Sequence, residues 1–157
     1  VCYGQSDLAL VENHLKEFKN IQKEVGATIF SQIYSSPLIR CSQLAHFLSL
    51  KVVFDNRLKE LNFGDWELKP WSDINQNDLN KWMNDFDFVK VPNGESYQEL
   101  QQRSVAFIEE KTKQHNSIVI VTHAGVIRSL WAYANHIPLK KSFDLKLNYG
   151  DHIRLSF

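Results

Sequence analysis

The segment that most limits how this chain can fold is Ser117-Ile118-Val119-Ile120-Val121-Thr122, followed at once by His123-Ala124-Gly125. A continuous β-branched apolar run of this length, bounded by polar residues, reads as a strand buried on both faces. Ala124 to Asn135 then takes up helical spacing. The same strand-into-helix pattern occurs upstream. Thr28 to Tyr34 reads as a strand, and Ser35-Ser36-Pro37 supplies an N-cap and a proline at the first helical position. Leu38, Cys41, Leu44, Ala45 and Leu48 give the following helix one apolar face, and Lys51 to Phe54 is a further short strand. Alternation of this kind predicts a three-layer α/β/α fold with a mainly parallel central sheet.

The remaining segments fit one domain over 1–157. Leu8, Val11, Leu15, Phe18, Ile21 and Val25 recur at helical spacing, and Gly26 ends that helix. Arg57 to Trp82 mixes Gly64 and Pro70 with Trp66, Trp71 and Trp82, which predicts a loop carrying short helices. Residues 65–95 are expected to form a lid or insert over the site. Ser96 and Glu99 make a capping-box pattern for a helix running to about His115. Leu145 to Tyr149 and His152 to Phe157 read as closing strands around Gly150-Asp151.

Eighteen basic residues balance 18 acidic ones. No basic stripe points to nucleic acid or to an acidic membrane surface, so affinity for an anion has to come from a local cluster. Cys2 and Cys41 form no C-x-x-C pair and are too few for a disulfide framework, which fits a reducing, cytoplasmic setting. No apolar run is long enough to cross a bilayer, and no His/Cys cluster has the spacing of a zinc site.

Ligands of open α/β sheets sit beyond the carboxyl ends of the strands. That rule selects Ser35–Arg40, Arg57–Glu67 and His123–Gly125. His123 ends a strand, where a histidine serves as acid, base or cation, or merely caps the helix. Ala124 and Gly125 allow close approach to the backbone, and the exposed N–H groups of a helix start favour an anion. Arg40, on the first turn of its helix, suits bidentate contact with phosphate; alone it equally fits a solvated helix arginine. Glu60 and Glu67 flank an aromatic turn. They fit either an ordinary loop or a carboxyl whose pKa is raised by apolar surroundings so that it donates a proton. Pro92-Asn93-Gly94-Glu95-Ser96 reads as a structural turn, with Glu95 able to orient an arginine such as Arg103.

Four segments in this order resemble the histidine phosphatase (phosphoglycerate-mutase-like) superfamily over nearly the whole chain. They are Ser35-Ser36-Pro37-Leu38-Ile39-Arg40, Leu58 to Glu67, Pro92 to Ser96, and Thr122 to Arg128. A narrower resemblance is to the α-ribazole phosphatases of cobalamin biosynthesis, carried by Cys2-Tyr3-Gly4-Gln5-Ser6-Asp7, the three spaced tryptophans and Thr122 to Arg128. The resemblance implies a phosphomonoesterase working through a phosphohistidine, with no metal and no cofactor. Arg40 and His123 would hold phosphoryl oxygens, and Glu60 would protonate the leaving alcohol. Gly4 would offer a backbone N–H to phosphate, Tyr3 would line the pocket, and Ala124 would belong to the phosphate site. The implied partner is a small phosphorylated metabolite, such as α-ribazole 5'-phosphate, and a homodimer is compatible with the fold. A phosphoglycerate mutase or a broad-specificity phosphatase shares the same chemistry.

One part of the family pattern lies elsewhere. Its R-H-G or R-H-T segment, with the nucleophilic histidine and a second arginine, has no counterpart in the sequence. His14, His46, His115, His136 and His152 follow no buried strand and read as packing or surface residues. The expectation is therefore a strand and loop ahead of Val1 in the working protein. The alternative is a pseudo-enzyme that binds phosphorylated ligands without turnover.

Overall fold

In the computed structural model, residues 1–10, 12–26 and 30–157 are described. The sheet has three strands, β1 (Gln32–Ser35), β2 (Val52–Phe54) and β3 (Ile118–Val121), in the order β2-β1-β3. Both pairings are parallel, Ile33 facing Val52 on one side and Val119 on the other. Among the described residues five α-helices accompany it: α1 (His14–Val25), α2 (Ile39–Leu48), α3 (Gln76–Asn84), α4 (Tyr97–Lys111) and α5 (Ala124–Ala134).

The two faces of the sheet are read directly from successive residues of β1, whose side chains point opposite ways. Ile33 packs with Val121 and with Cys41 and Ala45 of α2. Tyr34 packs with Leu100, Phe107 and Ile108 of α4 and with Val126 and Leu130 of α5. The sheet is thus the middle of three layers. α1 sits outside α2, with Phe18 against Phe47 at 5.6 Å between ring centroids. No helix among the described residues is long and apolar enough to cross a membrane.

The elements follow the sequence pattern with four informative departures. The first helix starts at His14, not at Leu8. Upstream of it, Asp7 is tied to α2 through the Ile39 N–H at 2.7 Å, which holds that stretch out of a helix; Val11 lies outside the described residues, as do 28 and 29 at the start of the first expected strand. Second, α2 begins at Ile39, because the Ser36 hydroxyl accepts from Leu38 N and contacts His123, and does not cap the helix. Third, among the described residues β3 pairs with β1 alone; Ile118, Val119 and Ile120 are half-buried and Val121 is buried. Fourth, 145–149 and 152–157 form no strands. Extended backbone becomes a strand only by hydrogen bonding to a neighbour, and among the described residues these segments have none.

The capping box is present in full. Ser96 accepts from Glu99 N, and the Glu99 side chain accepts from Ser96 N at 3.0 Å. It fixes the start of α4, the helix that carries Arg103.

Candidate active site

The carboxyl ends of β1 and β3 bring Ser36, Arg40 and His123 together. His123 is 7% exposed and directly precedes α5. Its Nδ1 accepts from Arg40 Nε at 3.2 Å. A nitrogen that accepts carries no proton, so the proton of the neutral ring lies on Nε2 and is donated to Ser36 Oγ at 2.8 Å. Burial, reinforced by the Arg40 and Arg103 guanidinium groups, depresses the His123 pKa from 6.5 to about 3. The imidazole is therefore neutral at physiological pH.

Arg40 is held on both sides. Besides His123 it donates through Nη1 to the Ser6 carbonyl at 3.0 Å and through Nη2 to the Gly4 carbonyl. Each of these terminal nitrogens has a further N–H, which is what an anion would take. Tyr3 lies beneath it, the guanidinium carbon 5.8 Å from the ring centroid. The loop 3–7 is itself pinned by Glu67. That carboxylate accepts from the N–H groups of Gly4, Gln5, Ser6 and Phe63 at 2.8–3.1 Å and from Ser6 Oγ at 2.6 Å. Burial pushes the Glu67 pKa up, but these hydrogen bonds outweigh it and the net shift is downward. The Gly4 N–H, expected to face phosphate, is therefore already engaged: it donates to Glu67 Oε2 at 3.0 Å. What Gly4 gives the site is its carbonyl, on Arg40.

Glu60 reaches the site from the other side. Its Oε2 accepts from Gly125 N at 3.0 Å and its Oε1 from Leu61 N at 2.9 Å. The anion expected at the start of α5 is thus the protein's own carboxylate. Gly125 is needed for this approach, since a Cβ there would lie 2.2 Å from Glu60 Oε1. Ala124 occupies the first position of α5 between His123 and Gly125.

The loop bearing Glu60 is irregular, and Arg103 satisfies its backbone. Arg103 Nη1 donates to the Arg57 and Lys59 carbonyls at 2.7 Å each, and Nη2 to the Glu60 carbonyl at 3.0 Å. Glu95 holds Arg103 through both carboxylate oxygens, at 2.6 and 3.0 Å, and also accepts from Asn62 N. Glu95 does orient an arginine, as its spacing suggested. Within residues 65–95 Trp66 and Trp71 pack against Trp82, with ring centroids 5.8 and 6.4 Å away, Phe63 joins them from the preceding loop, and Glu67 and Glu95 connect the segment to the site loops.

Sequence reasoning did not single out Ser36 as a partner of His123, Asp7 as a tie to α2, or Glu67 as the anchor of the first loop. Ser36 offered a signal in its position at a strand end, but a cap accounted for it equally well. Cys41 is also near, its Sγ 3.5 Å from His123 Nε2. Burial pushes that thiol up to about 12, so it stays protonated and is no substitute nucleophile. A fixed guanidinium, a neutral imidazole and a carboxyl group at one strand end suit an anion that carries a leaving group in need of a proton.

Comparison with known proteins agrees with this chemistry. The family model described as the histidine phosphatase superfamily (branch 1) matches residues 1–157. An adenosylcobalamin/alpha-ribazole phosphatase of Escherichia coli is 27% identical over 156 residues, covering 94% of this chain and 77% of that protein. A phosphoserine phosphatase 1 of Hydrogenobacter thermophilus is 26% identical over 147 residues, covering 88% and 70%. The crystal structure of the alpha-ribazole phosphatase from Shigella flexneri superposes with a TM-score of 0.85 at 26% identity, covering 96% of this chain and 79% of that one.

Two outcomes follow from the geometry. Gly125→Ala, favourable to a helix in itself, forces Glu60 away; phosphatase turnover should fall by about 100-fold, the size of one general acid–base contribution, with unchanged far-UV circular dichroism. His123 has a folded pKa below its unfolded one, so the unfolded chain binds more protons below pH 6.5. Its share of stability is full above pH 6.5 and is lost as pH falls toward 3. Between pH 6.5 and 4.5, above the ordinary carboxyl range, urea midpoints should drop. His123→Asn should flatten that slope.

Proposed function

Because the chain belongs to the histidine phosphatase superfamily, we propose that it is the catalytic domain of a metal-independent phosphomonoesterase that converts α-ribazole 5'-phosphate to α-ribazole. The observation that carries the reading is the contact of Arg40 with His123 beside a Glu60 seated on the start of α5. Support for the substrate comes from the α-ribazole phosphatases of Escherichia coli and Shigella flexneri, which cover most of this chain in sequence and in fold.

The reaction needs a nucleophilic histidine, which the family pattern carries in its R-H-G or R-H-T segment. A lone pair of that histidine attacks phosphorus, an N–P bond forms, and the P–O bond to the alcohol breaks. Arg40 and His123 hold the equatorial oxygens as charge moves onto them. Glu60 serves as the general acid, giving a proton to the departing alkoxide. Water then attacks the phosphohistidine, Glu60 takes up the water proton, and phosphate leaves with the starting enzyme restored. The positive charge that a metal ion would supply comes from arginine. A cytoplasmic setting and a small soluble metabolite go with this reading.

A second reading, phosphoserine as substrate, is favoured by the Hydrogenobacter relative. Steady-state assays of the complete protein in the presence of EDTA separate the two. The first reading expects kcat/KM for α-ribazole 5'-phosphate to exceed that for phosphoserine by at least about tenfold, the return of roughly one good extra contact. Glu60→Gln should lower kcat on such alkyl esters by about 100-fold, yet p-nitrophenyl phosphate, whose leaving group needs no proton, should still release a first burst of nitrophenol before the slowed water attack limits turnover. A preference for phosphoserine overturns the substrate; a strict metal requirement overturns the mechanism.

A further inference from the structure

Tyr149 is 92% exposed, yet it is fixed in place. Its hydroxyl meets the Tyr3 hydroxyl at 2.9 Å, joining the two ends of the chain across 146 residues. The turn that presents it is closed by local hydrogen bonds. Asp151 accepts from Asn148 N at 2.7 Å and from Asn148 Nδ2 at 3.2 Å, and Gly150 adopts φ +83°, a conformation open to glycine. Tyr3 is in turn the ring over which the Arg40 guanidinium sits. Arg40, Tyr3 and Tyr149 therefore form a line from the phosphoryl-binding cation outward to solvent.

A single exposed aromatic is ordinary on a protein surface. A ring tethered through its hydroxyl to Tyr3 at the mouth of an anion site, with its faces open to water, is a stacking surface. We propose that Tyr149, supported by Tyr3, is a specificity-determining residue. It stacks against a flat aromatic group carried by the substrate's leaving alcohol. The ring it selects is one tyrosine further out than the guanidinium, so it selects an aromatic joined to the phosphate through a spacer of several bonds, not an aryl ester. This inference rests on the proposed function for the identity of the site, and it adds the chemical class that the rim selects: an aryl-bearing alcohol phosphate over a small hydroxy-acid phosphate.

Binding of inert phosphonates to the complete protein, followed by titration calorimetry, tests this without turnover. The probes are phenylbutylphosphonate, its saturated analogue cyclohexylbutylphosphonate, and butylphosphonate. The unmodified protein should bind the phenyl compound most tightly. Tyr149→Ala should weaken the phenyl compound by about tenfold, within the range seen when a stacked aromatic is removed, while butylphosphonate stays within about twofold. Tyr149→Phe keeps the ring and loses the tether, and should retain part of the phenyl preference. Equal weakening of all three probes, or an unchanged phenyl preference in Tyr149→Ala, overturns the proposal. If the preference behaves as stated while no phosphate ester is turned over, the phosphatase reading fails and the role of Tyr149 stands.

Discussion

Arg103 gathers the carbonyls of Arg57, Lys59 and Glu60 onto one guanidinium, and the placement of the proton-donor candidate depends on it. An irregular loop running past a buried sheet end has backbone groups that water cannot reach, and each must find a partner. A planar cation with several N–H groups meets that need from one side chain. Glu95 then balances its charge and takes Asn62 N as well. On the other side of the site Glu67 does the converse, an anion that gathers four N–H groups of the first loop and of Phe63. Two irregular segments are thus folded around opposite charges, and between them Arg40, His123 and Glu60 are held before any ligand arrives.

That order has an electrostatic consequence. His123 sits neutral between burial and two guanidinium groups. On the proposed reading an incoming phosphoryl group would bring negative charge beside Arg40 and favour protonation of His123, the reverse of the free site. The carbonyls of Gly4 and Ser6 take one N–H of each terminal nitrogen and leave the others for ligand oxygens. On this reading a ligand adds its oxygens to a fixed frame, which keeps reorganisation small.

The layered fold was legible because its signals are local. A β-branched run at 118–121, a capping box at Ser96 and Glu99, and helical spacing through α2, α4 and α5 each carry their own physics. Arg40, Glu60 and His123 were legible because each stands just past a strand end. Other features were not. The terminal segments 145–149 and 152–157 alternate like strands but need a neighbour that periodicity does not supply. The engagement of Gly4 N by Glu67 links positions 63 residues apart, which no spacing rule reaches. The contact of Tyr3 with Tyr149 joins opposite ends of the chain and was equally out of view.

The central claim is that this frame serves transfer of a phosphoryl group to a histidine and then to water. The most direct measurement is intact-mass spectrometry of the complete protein quenched shortly after mixing with p-nitrophenyl phosphate, in the Glu60→Gln background. A species heavier by one phosphoryl group, labile in acid and stable in base, is expected, decaying as free phosphate appears. Hydrolysis of the ester with no such species at any time would contradict it and would place the water attack directly on the substrate.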